Sequence, residues 1–183
     1  MPTHEDHETD VRRLIAAANL PVDGVCVNIE SQNQPDIGLR NQRLLDLSGR
    51  LRQATTKSMS AVVVPPVVTE VLNRSYWPDF PWRQLAGIYD VWMPMAYWSN
   101  RTPDSGWRDG YRYIAENTAM IRTLTGRPDA AVHPVGGIAD EVSVTEVDAM
   151  ALALRDTGAI GGSIYDYATT DDGLWPSLHN FRR

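Results

Sequence analysis

Three features of the sequence predict an α/β fold built on a parallel sheet. Apolar runs of strand length alternate along the whole chain with amphipathic stretches of helix length. Several of those runs are apolar at consecutive positions, as strands covered on both faces require. The breaks between them fall at Gly and Pro. The order read off is one helix followed by five strand–helix units, hence about five parallel strands with surrounding helices.

The first helix is expected over residues 9–20, with Thr9 as its cap and Val11, Leu14, Ile15 and Ala18 on one face. Residues 1–8 are acidic and polar and are expected to be flexible, so the folded domain is placed at residues 9–183. Pro21 to Gly24 break the helix, and residues 25–30 (VCVNIE) form the first strand. A second helix is expected over 37–53, where Leu39, Leu44, Leu45, Leu47 and Leu51 recur at helical spacings. Residues 60–66 are the second strand, and 69–82 are a long connection rich in aromatics. A short helix near 82–87 leads into a third strand at 89–98. A helix at 110–125 ends at Gly126, and the fourth strand follows at 130–137. A helix at 145–157 ends at Gly158, the last strand is 161–167, and 175–181 are expected to close the chain as a helix.

Composition excludes several functions. Lys and Arg total 17 against 23 Asp and Glu, a net charge of −6, which disfavours a nucleic-acid partner. No run approaches the roughly 20 apolar residues that span a bilayer, so no membrane partner is expected. The N-terminus lacks a basic start and an apolar segment, so the sequence as it stands reads as cytoplasmic; a truncated N-terminus would allow an extracellular location. The one cysteine, Cys26, excludes an internal disulfide. No cofactor is expected, because no Gly-rich phosphate loop follows the first strand. No metal site is expected either. His4 and His7 stand three apart, whereas zinc-binding helices of the HExxH type space them by four, and the pair reads as solvated chain. Six Trp and seven Tyr against two Phe suit sugar stacking, and equally suit a core.

Five strands are compatible with a doubly wound sheet or with part of a closed barrel. Polar residues gather at the C-terminal ends of several strands, as in barrels, which favours the barrel. Strand alternation then gives a register. Cys26, Asn28 and Glu30 share one face, while Val25, Val27 and Ile29 share the other and suit packing against helices. Glu30 is thereby placed inside the barrel at its C-terminal rim. Part-buried among aromatics, its carboxyl is suited to protonate a glycosidic oxygen; the structural alternative is an ion pair with Arg40 or Arg101. Tyr97 is expected to bond a sugar ring and Trp98 to form a stacking wall. In the last strand Gly162, Ile164 and Asp166 share one face and Ser163, Tyr165 and Tyr167 the other. Either Asp166 brings a second carboxylate to the site, or it caps the following loop while Tyr165 faces the ligand. His133 is a core histidine or, at the rim, a substrate contact. Asp23 and Asp90 start strands and are read as structural.

The run Asp23-Gly24-Val25-Cys26-Val27-Asn28-Ile29-Glu30 resembles the D-G-x-D-x-D-x-E signature of chitinase-like, family eighteen glycoside hydrolases, with Cys26 and Asn28 where the family has aspartates. Met95-Ala96-Tyr97 resembles that family's M-x-Y element, and Gly161-Gly162 the start of its eighth strand, with Asp166 where the family has Trp. The resemblance implies a partial TIM (β/α)8 barrel, strands four to eight, with Glu30 as general acid and Asn28 beside the substrate. In that family the substrate's own acetamide is the nucleophile, and an aspartate orients it. Asn28 can supply the hydrogen bond but not the charge. Segments such as YWPDFPW, VHPVGGIAD and GGSIYDY also look like those of actinobacterial barrel proteins of unassigned activity, which implies a fold and not a reaction.

The expected function is a carbohydrate-active, glycoside hydrolase-like barrel with a carbohydrate partner. One alternative is a non-catalytic glycan-binding or interaction protein on the same scaffold. Another is a phosphate-binding barrel enzyme, because Gly136-Gly137 and Gly161-Gly162 are similar to the glycine pairs of such barrels. An open barrel leaves unpaired strand edges, so self-association is also expected.

Overall fold

The computed structural model describes residues 3–181. Its strands are β1 (Gly24–Ile29), β2 (Ser58–Val63), β3 (Val91–Ala96), β4 (Ala131–Val132), β5 (Val135–Ile138) and β6 (Ser163–Tyr165). They pair in parallel in the order β1-β2-β3-β5-β6, with β4 also against β3. β4 and β5 are two halves of the fourth predicted strand. Pro134 has no N–H for the ladder and interrupts it, although its carbonyl still accepts from Ser163 N at 3.0 Å. The result is a five-stranded sheet curled into half a barrel, as the sequence predicts.

Helices cover the convex face. α1 (His4–Ala18) and α2 (Ile37–Ala54) pack together near β1; α4 (Gly110–Thr125) and α5 (Val144–Thr157) pack together further on, with short helices α3 (Trp82–Leu85) and α6 (Trp175–Leu178) between and after. The register follows the hydrophobic alternation. Val25, Val27 and Ile29 are buried beneath the helices, as are Met59, Ala61 and Val63, and Trp92, Pro94 and Ala96. One core joins α1 and α2 to β1, β2 and the start of β3, around Trp77, Trp82 and Trp92. A second joins Ala96 and Trp98 to α4 and α5. Gly126 and Gly158 end α4 and α5 in the left-handed region, with φ of 70° and 69°, where a side chain would be strained.

The N-terminus differs from expectation. α1 starts at His4, and the cap is Thr3 in a reciprocal box with Asp6, not Thr9. Residues 4–8 are therefore the first turns of α1; Met1 and Pro2 lie outside the described residues. The docking partners are remote in sequence: buried His7 bonds Asp46 at 2.8 Å, and Glu8 pairs with Arg50 at 2.6 Å. The connection after β2 is also partly ordered, as a π-helical turn at Val67–Leu72 whose first N–H donates to Asn117 Oδ1 at 2.9 Å. Among the described residues no helix is long and apolar enough to cross a membrane.

Candidate functional site

Because the convex face is apolar and covered, Asn28 and Ser163 are left to the concave face, among apolar neighbours there. Asn28 lies level with Val62, which lies level with Met93; Met95 lies level with Val135, and Val135 with Ser163. Cys26 Sγ reaches across to Met93 Sδ at 3.9 Å, which puts β1 and β3 side chains on one surface. Glu30 follows the last residue of β1 at the C-terminal rim and is exposed, where the sequence predicts partial burial. Its Oε1 accepts from Asn28 Nδ2 at 2.9 Å. Among the described residues no ion pair joins it to Arg40 or Arg101. The carboxylate is thus held by an amide on its own strand.

Two tyrosines sense that carboxylate. Burial raises the Tyr97 phenol above its usual value, and the neighbouring Tyr165 and Glu30 add to the shift. Burial also raises Tyr76, with Glu30 again opposing a second negative charge and Arg40 partly offsetting it. Tyr97 and Tyr165 face each other, ring centroids 5.7 Å apart, and Tyr165 is half exposed. Asn28 thus holds Glu30, the Glu30 charge reaches Tyr76 and Tyr97, and Tyr165 stands against Tyr97. Tyr76 was not legible as a site residue; the aromatic run that contains it was the available signal.

The remaining expected site residues separate from this group. Trp98, expected as a stacking wall, is fully buried, because alternation turns it to the convex face with Trp92 and Ala96. Its ring packs over Gly136 and Gly137, where a Cβ would come within 2.5 and 3.0 Å of ring carbons. This glycine pair is the close-approach surface for an indole. The next N–H, of Ile138, donates to Ser99 Oγ at 3.1 Å. Asp166 follows the Tyr165–Asp166 cis peptide and caps the turn Tyr167–Thr169, accepting from Thr169 N at 3.2 Å. Of the two readings of the last strand, Tyr165 faces the concave side and Asp166 serves the loop. His133 bonds Ser163 Oγ at 2.7 Å, and burial lowers its pKa. Asp90 accepts from Met59 N at 2.8 Å and pairs with Arg52 at 3.1 Å, the structural role expected of it.

His7, Glu8 and Asp46 bring one ligand atom each within 4.8 Å of the others. Arg50 already bridges the two carboxylates, at 2.6 and 3.3 Å, which accounts for the cluster as an ion-pair network between α1 and α2.

No protein-family model matches the chain, and no curated protein matches it. Among solved structures, the PgaB (BpsB) glycoside hydrolase domain from Bordetella bronchiseptica matches with a TM-score of 0.65 at 13% identity. The match covers 98% of this chain and 63% of that one, so the chain spans less than two thirds of the structure it resembles. At that identity the likeness is one of fold, and it agrees with the half-barrel read from the sheet.

Proposed function

We propose that this half-barrel is a carbohydrate-active, glycoside hydrolase-like protein, with Glu30 as general acid on a glycan laid along the concave face. The observation that carries the reading is the rim itself: a carboxyl group just past the C-terminal end of β1, held by Asn28 and close enough to Tyr76 and Tyr97 to oppose ionisation of both, with Tyr165 against Tyr97. Barrel enzymes assemble their sites from such strand ends. Tyrosine offers both a flat apolar face and a hydroxyl to a sugar ring. In this reading Asn28 holds Glu30 and contacts the sugar, and Tyr97 and Tyr165 form its wall. The fold neighbour's name as a glycoside hydrolase domain supports the choice of substrate class.

A second reading, glycan binding without turnover, is favoured by the position of Asp166. Ordinary glycosidases need two carboxylates, about 5–9.5 Å apart, and Asp166 is engaged as a turn cap. Hydrolysis and glycan binding measured on wild type and Glu30→Gln separate the two. Loss of turnover in the variant with binding retained supports the acid. Binding by both with turnover by neither leaves the lectin-like reading, and no glycan bound by either sinks both.

A further inference from the structure

We propose that the glycan carries a carboxylate and that Arg40 recognises it. The inference rests on the carbohydrate reading above and narrows its substrate class. Beside Glu30, between β1, α1 and α2, lies a cavity of about 580 Å³ whose walls include Arg13, Asn28, Glu30, Arg40 and Trp77. Arg40 enters it from the first turn of α2, just beyond the Asp36 cap. It is buried, with only 8% of its surface exposed. Its Nε donates to the Gln34 carbonyl at 2.7 Å and one terminal nitrogen to the Gln32 carbonyl at a weak 3.5 Å. The guanidinium lies over the Trp77 ring, 4.9 Å from its centroid. Its other terminal nitrogen, Nη1, is buried with no hydrogen-bond partner among the described residues, and no carboxylate pairs with Arg40 there.

A guanidinium cannot escape burial by losing its proton. A buried unpaired charge is costly, and neutral carbonyls and a ring face offset it only in part. A neutral sugar would leave that charge as it is, whereas a carboxylate in the cavity would supply the counter-charge, and also the acceptor that Nη1 lacks once the wall covering that atom gives way. Other charges line the same cavity. Asp6 is turned to its own cap at Thr3, Asp10 of α1 is a further carboxylate, and Arg13 of α1 and Arg43 of α2 are two further cations. The Tyr76 phenolate would be opposed by Glu30 and favoured by Arg40, so the hydroxyl lies within reach of both the acid and the cation. A carboxylated sugar held at Arg40 would therefore lie beside the group proposed to protonate its glycosidic oxygen.

The test is calorimetric binding of the full chain to oligosaccharides of glucuronate, galacturonate and mannuronate, to their methyl esters, and to neutral oligosaccharides. One charge-assisted hydrogen bond to a buried cation corresponds to a preference of about tenfold or more for acid over ester. Arg40→Met should abolish that preference and Arg40→Lys should keep part of it. Equal affinity for acids and esters overturns the inference and leaves the carbohydrate reading intact. No binding to any sugar overturns the carbohydrate reading itself. Stabilisation by acetate or inorganic phosphate equal to that by the acidic sugars also overturns it, as a general anion effect. Should Arg40→Met fail to fold, because Arg40 also holds residues 32–34, the acid–ester comparison on wild type decides alone.

Discussion

Gly136→Ala isolates what the Gly136-Gly137 pair is for. An added Cβ would lie 2.5 Å from Trp98 Cζ3, 2.8 Å from Met150 Sδ and 3.1 Å from Ile114 Cδ1. All three neighbours are fully buried, so none can swing aside into solvent. Overpacking of this kind costs about 1–3 kcal/mol. For a domain of this size that lowers the melting temperature by roughly 2–12 °C. Urea denaturation and thermal melting of wild type and variant give the number. Repeating the substitution in a Trp98→Leu background removes the closest contact, and the cost of the alanine should then fall by about 1 kcal/mol, the coupling expected of touching residues. A neutral Gly136→Ala, or the same cost in both backgrounds, would refute the packing account. The phosphate-barrel reading makes a different forecast: inorganic phosphate would stabilise wild type and not the variant. Indifference of both proteins to phosphate agrees with an indole, not an anion, as the reason for the glycines.

Three further outcomes follow from the interactions described. His133 is held below its usual 6.5 by burial, so the unfolded chain binds its proton first as pH falls. Its contribution to stability is complete above about 6.5 and declines below it, and His133→Gln should flatten the pH dependence of denaturation midpoints there. Asp46 is held below its usual 3.8 by the His7 hydrogen bond and by Arg50, so its contribution is complete above that value and is lost as pH falls further, through the folded-state value. Asp46→Ala should cost about 1 kcal/mol at neutral pH, limited by the half-exposed carboxylate, and should loosen α1 first in hydrogen exchange; unchanged protection of α1 would contradict its docking. The sides of β1 and β6 that are unpaired among the described residues should make the isolated 183-residue chain self-associate; light scattering that gives a sharp monomer with cooperative melting counts against this.

The parts of the fold legible in the sequence are those set by local periodicity. The apolar run within 60–66 and the alternation of 25–30 each return as strands, and the glycines at 126 and 158 end helices where expected. What escaped depends on contacts between remote residues. Nothing near Thr3 announces that His7 and Glu8 will meet Asp46 and Arg50 of α2, which is what docks the first turns of α1. The site divides in the same way. Alternation placed Glu30 and Asn28 on one face, because both belong to one strand. It also placed Trp98 on the face opposite Tyr97, so the burial of Trp98 was implied by the same rule that was applied to β1. Asp166 was ambiguous, because the face of a short terminal strand is fixed only by its pairing with β5 and by the His133–Ser163 bond. Arg40 and Tyr76 join Glu30 only through folding of the 31–36 and 73–81 loops, for which no periodic signal exists.

The exposure of Glu30 has the same physical origin as the predicted association. Glu30 follows a strand whose other side pairs with nothing among the described residues, and Val27, Asn28 and Ile29 of that strand line the Arg40 cavity. A general acid works near neutral pH when its surroundings exclude water, and an edge strand cannot do that alone. Any strand that paired with β1 would complete a wall of the cavity and bring Glu30 out of solvent in one step. Turnover that rises more steeply than protein concentration would tie the chemistry to that pairing. Turnover strictly proportional to concentration would mean that the half-barrel's own loops, with Tyr76 and Trp77 at their centre, already give Glu30 the environment it needs.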